Sequence, residues 1–298
     1  MSSIYVSKML STTNQFANRK WFYEFREIRH LFKEDICAKN ATNLAQQFSK
    51  ITKNWSKETN SEWICRIYFS AKMILHSTLQ LMNLEFADEK NIRLVNSYLK
   101  YYALLSACRA VVITLPTIEW NSGKITEMTH QKIINVTFDY LCKFDSDIAN
   151  KFKQLISLLK ANRELITYRA PTNGDYHIDN DIDIIQFCTT LAELAQFNSE
   201  ILEASIHKNA KEENFFFISE YKKQLSQIHI GDFYFYDHED AYRLDYLKRK
   251  WSMPPNVLHI MTEGHTEDFF GSWEPDEYAD ELFTTGSPCD RQIIFDIP

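Results

Sequence analysis

The chain has 298 residues, 45% of them hydrophobic and 24% charged, which suffices for one large folded domain or two modest ones. Only six Gly and seven Pro occur, so a many-stranded sandwich rich in turns is excluded in favour of long helices. The net charge of -7 argues against a broadly basic nucleic-acid binder. That charge is unevenly spread. Residues 1–33 hold six Lys or Arg against two Asp or Glu, whereas residues 231–298 hold five against fifteen. Such polarity suits steering of partners or pairing of the two ends of neighbouring subunits.

In chain order, Met1 to Phe16 is polar and lacks the apolar stretch of a secretory signal. Residues 17–53 read as two amphipathic helices, with Trp21, Phe22, Phe25, Ile28 and Phe32 on one stripe. Asn60 or Ser61 is positioned to cap the next helix, 62–86. Residues 89–115 form a longer helix whose centre, Tyr98 to Val112, is apolar on most faces, as in a rod buried among neighbours. Pro116 ends it. A loop follows to Met128, with Asn121-Ser122-Gly123 as its turn. Thr129 starts a helix to about Phe144, and Asp145 or Ser146 caps another to Tyr168. Residues 169–180 are dense in turn formers, and a further helix covers 181–208.

The character changes near 210. Phe215 to Ile218 and Phe233 to Tyr236 are aromatic runs suited to strands, and Ile293 to Phe295 reads as a closing strand. The expected organisation is a helical N-terminal segment (1–57), a helical bundle (58–210) and a mixed, aromatic and acidic region (211–298). No apolar run reaches the ~18 residues of a membrane span. The six cysteines are scattered without a CxxC pair, as expected of small buried hydrophobes in a reducing, cytoplasm-type compartment.

The stretch SYLKYYALLSACRAVV at 97–112 resembles a helix of the HEPN superfamily, the small helical bundles of bacterial toxin–antitoxin, defence and RNA-processing systems. THQKIINVTFDYL (129–141) and NRELITY (162–168) resemble the two helix segments that follow it in that superfamily, with Thr167 in place of an acid. The resemblance spans residues 62–168, about a third of the chain. It implies a mainly α fold, a HEPN-like antiparallel bundle with N-terminal helices and a small mixed α/β C-terminal region. It also implies a protein partner encoded nearby, a homo-oligomer or hetero-complex, and an antiviral defence or toxin–antitoxin context. Ribonuclease members carry an Arg with a His about four to six residues later, where Arg stabilises charge and His moves a proton. No Arg within the resembling stretch, 62–168, has a His at that spacing. A non-catalytic binding or assembly subunit is therefore the leading expectation. A divergent, metal-independent ribonuclease and a subunit binding RNA or single-stranded DNA are the alternatives.

The candidate catalytic residues are Arg109, His130, Arg163, Arg169 and His177. Arg109 lies inside an apolar helix, where a guanidinium must be paired or ligand-bound. The bland alternative is an ion pair with a helix end or an acid of the bundle. His130 opens a helix, where the dipole disfavours its charged form. Arg163, Tyr168, Arg169, Asp175 and His177 form the richest polar group of the bundle, read either as a phosphate site or as a solvated loop. Candidate nucleic-acid contacts are Arg19, Lys20 and Trp21, and Lys248, Arg249, Lys250 and Trp251, which mix cations with stacking surface. The alternative for both is a helix with a solvated basic face. No metal or cofactor is expected. Asp179, Asp181 and Asp183 lack the Gly and Glu of a calcium loop and fit a helix N-terminus instead. His229, His238, His259 and His265 show no HxH or HExxH spacing.

Overall fold

The computed structural model describes residues 25–172, 174, 183–273 and 294, and the backbone of 15–16 and 19–20. It is mainly helical. The N-terminal expectation needs correction: Gln15–Phe16 (β1) pairs with Arg19–Lys20 (β2), so no helix starts at 17. Helix α1 begins at Arg26 and ends at Leu31, and α2 runs Glu34–Thr52. The stripe still holds where it is described, for Phe25, Ile28 and Phe32 are buried. Trp21 and Phe22 lie outside the described residues.

Helix α3, Lys57–Glu89, is the spine. Its cap is Ser56, whose side chain accepts from the Thr59 amide, and not Asn60 or Ser61. After a left-handed Asn91 the chain reverses into α4, Arg93–Ile113. The two helices are antiparallel in close register: Ser70 Oγ donates to Ala110 O and Ser77 Oγ to Ala103 O. Small residues at these crossings let the backbones approach. α4 is buried on most faces, including Ala103, Ala107 and Ala110.

A kinked 3₁₀ segment, Asn121–Glu127, carries the expected turn with positive φ at Asn121, Ser122 and Gly123. A Cβ on Gly123 would sit 2.8 Å from Gln224 O, so both φ and space require glycine there. α5 (His130–Leu141) is capped by Thr129, α6 (Ser146–Arg169) by Asp145, and α7 (Ile184–Asn209) by Asp183. Asp183 thus plays the helix-terminal part expected of it; Asp179 and Asp181 lie outside the described residues.

α7 packs on α4 and α2 and is buried along nearly its whole length. Its Glu193 carboxylate accepts from the Glu27 and Ile28 amides, capping α1 from 166 residues away. Beyond 210 the chain packs on α3. α8 (Glu220–Ser226) leads into β3 (Gln227–Ile230) and β4 (Phe233–Tyr236), an antiparallel hairpin. α9 (His238–Lys250), α10 (Val257–Ile260) and α11 (Glu263–Gly271) follow. Phe217, Leu225, Leu244, Val257 and Ile260 join the same core as the bundle.

One strand expectation fails. Phe215 to Ile218 is no strand: Phe216 O accepts from Asn60 Nδ2 at 3.1 Å, and the Ile218 amide donates to Ser61 Oγ at 2.8 Å. Its backbone is satisfied by α3 side chains, so it needs no strand neighbour. Ile294 is a buried bend, while Ile293 and Phe295 lie outside the described residues. No helix among the described residues is long and apolar enough to cross a membrane.

Candidate functional site

Three of the five predicted catalytic residues converge where α4, α5 and α6 meet. Tyr101, buried in α4, places its hydroxyl 3.1 Å from His130 Nδ1. The Arg163 guanidinium of α6 lies over the Tyr101 ring at 4.8 Å and donates to the Tyr102 hydroxyl at 3.1 Å. Arg109, two turns along α4, donates to Thr126 O at 2.8 Å, at the end of the 3₁₀ segment. Its partner is therefore a carbonyl, and burial holds its pKa below the usual arginine value. Thr167 Oγ1 donates to the Tyr98 hydroxyl and continues the seam towards the α3–α4 turn.

His130 sits below its ordinary pKa, first through burial and then through Arg109, Arg163 and Lys160, each of which repels a second positive charge. It is a neutral imidazole at pH 7. In the tautomer whose Nδ1–H donates to the Tyr101 oxygen, Nε2 keeps a free lone pair. Glu164 pairs with Arg163 at 3.4 Å. The seam can hold an anionic group, and a neutral imidazole beside two guanidinium groups is equipped to accept a proton. Tyr101 and Tyr102 were visible in the sequence as part of the apolar rod, but nothing in their spacing marked them as organisers of His130 and Arg163.

The other predicted residues do not join this seam. Arg169 is exposed at the C-terminal end of α6, and His177 lies outside the described residues. Arg19 and Lys20 form β2, where only the backbone is described; Trp21 is outside it. Lys248 is tied to Asp245 at 2.6 Å, and Arg249 Nε bonds Asp245 O. Lys250 lies over Tyr246 and Trp251. The Trp251 ring stacks on His259 at 5.4 Å, so one of its faces is already covered. These cations sit in the last turn of α9, where they complement its dipole.

A second feature escaped the sequence reading. In the β3–β4 register Ile228 faces Phe235 and Ile230 faces Phe233. Alternation places all four on one side of the hairpin, with Gln227, His229, Tyr234 and Tyr236 on the other. The apolar four are 36, 53, 63 and 69% exposed in the order Ile228, Phe235, Ile230, Phe233. Among the described residues neither strand pairs with a third. The signal was present as Ile-x-Ile-Gly-Asp-Phe-x-Phe, two alternating runs around a two-residue turn.

Of the cysteines, Cys37, Cys65, Cys108 and Cys188 are free and buried, and Cys142 is free and exposed. Burial, then nearby Asp35 and Glu34, pushes the Cys37 thiol up to about 12, far from a reactive thiolate. Among the described residues no group of three or more His, Cys, Asp or Glu is placed to hold a metal ion. No family model, no curated protein and no solved structure matches this chain.

Proposed function

We propose that the protein is a non-catalytic binding and assembly subunit, of the bacterial defence or toxin–antitoxin kind that the HEPN resemblance implies, and that it docks through the β3–β4 hairpin. The observation that carries this reading is the exposed apolar face of Ile228, Ile230, Phe233 and Phe235. A two-stranded hairpin is marginal in water unless a face is covered, and unpaired edges template further pairing. Each of these side chains gains on the order of 1–2 kcal/mol when its exposed part is buried. The partner is a second copy of the chain. A self-complementary face brought against its own two-fold mate buries both apolar sets at once.

Sedimentation of the purified chain across a concentration series tests this. The expected result is a dimer that Phe233→Asp and Phe235→Asp convert to a monomer with an unchanged helical circular-dichroism spectrum and a lower melting temperature, since association stabilises the folded state. A chain that stays monomeric at every concentration, or whose dimer survives both substitutions, overturns it.

A second reading, a metal-independent ribonuclease, is favoured by one observation: neutral His130 and Arg163 share Tyr101 across two helices. His130 would accept the attacking hydroxyl's proton, and Arg163 and Arg109 would hold the phosphate. Labelled RNA incubated with wild type and with His130→Ala decides it. Cleavage in chelator that disappears in the variant supports the reading, and intact RNA throughout removes it.

A further inference from the structure

Between α3, α9 and α11 lies a cleft of about 230 Å³ that the seam and the hairpin leave unused. Its floor is a buried charge network. Lys72 Nζ contacts Asp240 at 2.7 Å and Asp237 at 3.1 Å, and Tyr68 donates to Asp240 at 2.5 Å. Arg243 pairs with Asp268 at the wall and donates to Gly264 O. The lining therefore holds four carboxylates, Asp237, Glu239, Asp240 and Asp268, against two cations, Lys72 and Arg243. The mouth is aromatic, with Phe269 and Trp273, the latter 61% exposed.

The observation that points to a ligand is independent of this charge. His265 lines the cleft, is only 6% exposed, and its Nε2 has no hydrogen-bond partner among the described residues. An unsatisfied buried ring nitrogen is costly, and such atoms find partners in water or ligand. Burial, then Arg243 and Lys72, holds this imidazole down to about 4, so it is neutral, and in the tautomer protonated at Nδ1 its Nε2 offers a lone pair.

We propose that this cleft binds a small primary ammonium ligand, whose N–H groups meet His265 and the Asp268–Glu239 side while its carbon chain lies against Phe269 and Trp273. Asp237 and Asp240 answer Lys72 and Asp268 answers Arg243, so Glu239 supplies the negative charge that attracts a cation, the neutral imidazole accepts an N–H, and the aromatic mouth adds attraction for positive charge. A dianion meets the same carboxylates and is repelled.

Calorimetric titration of the full chain with putrescine, 1-butanol and succinate tests the assignment. The expected result is saturable binding of putrescine alone, weakened about tenfold by loss of one charge-assisted or ring contact in Glu239→Gln, Trp273→Ala or His265→Phe. The first two positions are exposed, so their substitution leaves folding intact even if His265→Phe does not fold. Absence of saturable putrescine binding, equal binding of succinate, or unaltered affinity in both Glu239→Gln and Trp273→Ala overturns it.

Discussion

Single side chains inside this bundle hold far more than their own position. Arg66, 2% exposed, donates to Ile113 O at 3.1 Å and Ile118 O at 2.6 Å, pairs with Glu62 at 2.8 Å, and lies over the Trp63 ring. It closes the C-terminal end of α4, which ends in carbonyls that no helix bond satisfies. Arg66→Met keeps the volume but leaves two carbonyls and a carboxylate unpaired, so denaturant unfolding is expected to show a loss of roughly 3 kcal/mol. His265 sets a pH dependence. Its folded pKa, about 4, lies below the ordinary histidine value of about 6.5, so its contribution is complete above that value and is lost as pH falls towards 4. The loss is on the order of 3 kcal/mol. His76 and His130 are also lowered and act in the same direction. Urea midpoints measured from pH 7 to pH 4 should fall steeply, and less so in a His265→Phe chain. Arg66 was unreadable beforehand: its partners are carbonyls about fifty residues away, and carbonyls carry no sequence signature. Arg109, by contrast, was legible as a cation in an apolar helix, because that conflict is local.

Helix boundaries that rest on side-chain caps were the most legible elements. Thr129 and Asp145 announce their helices by residue type, and Asp145 accepts from both the Asp147 and Ile148 amides. Asp145→Ala is expected to cost about 1 kcal/mol in thermal or denaturant unfolding, with the fold retained. Elements set by tertiary bonds were misread. Phe215 to Ile218 has strand composition, yet Asn60 and Ser61, the residues expected to cap α3, bind its backbone instead. One missed pairing therefore produced two errors. The hairpin shows the converse case: Phe233 to Tyr236 was correctly legible as a strand from its own residues, but its apolar face emerges only when Gln227 to Ile230 is placed opposite.

On the scale of the molecule, the mainly helical architecture followed from breaker content and from the apolar rod at 98–112, and α4 is indeed packed between α3 and α7. Ser70 and Ser77 bond the Ala110 and Ala103 carbonyls directly across the α3–α4 contact. Ser77→Leu should force the two rods apart and cost 1–3 kcal/mol or more, roughly the overpacking penalty, visible as a lowered melting temperature. The convergence of Arg109, His130 and Arg163 could not be read along the chain, since three helices separated by loops supply one residue each.

The bond between Glu193 and the Glu27–Ile28 amides also bears on the order of events during synthesis. α1 has only six residues and no cap of its own, so in isolation its nucleation is unfavourable. Its first turn must wait, unformed, until the ribosome has delivered a residue 166 positions further on. A polypeptide released before that point leaves Phe25 and Ile28 without their covering helix, and their exposed apolar surface would mark it for quality control.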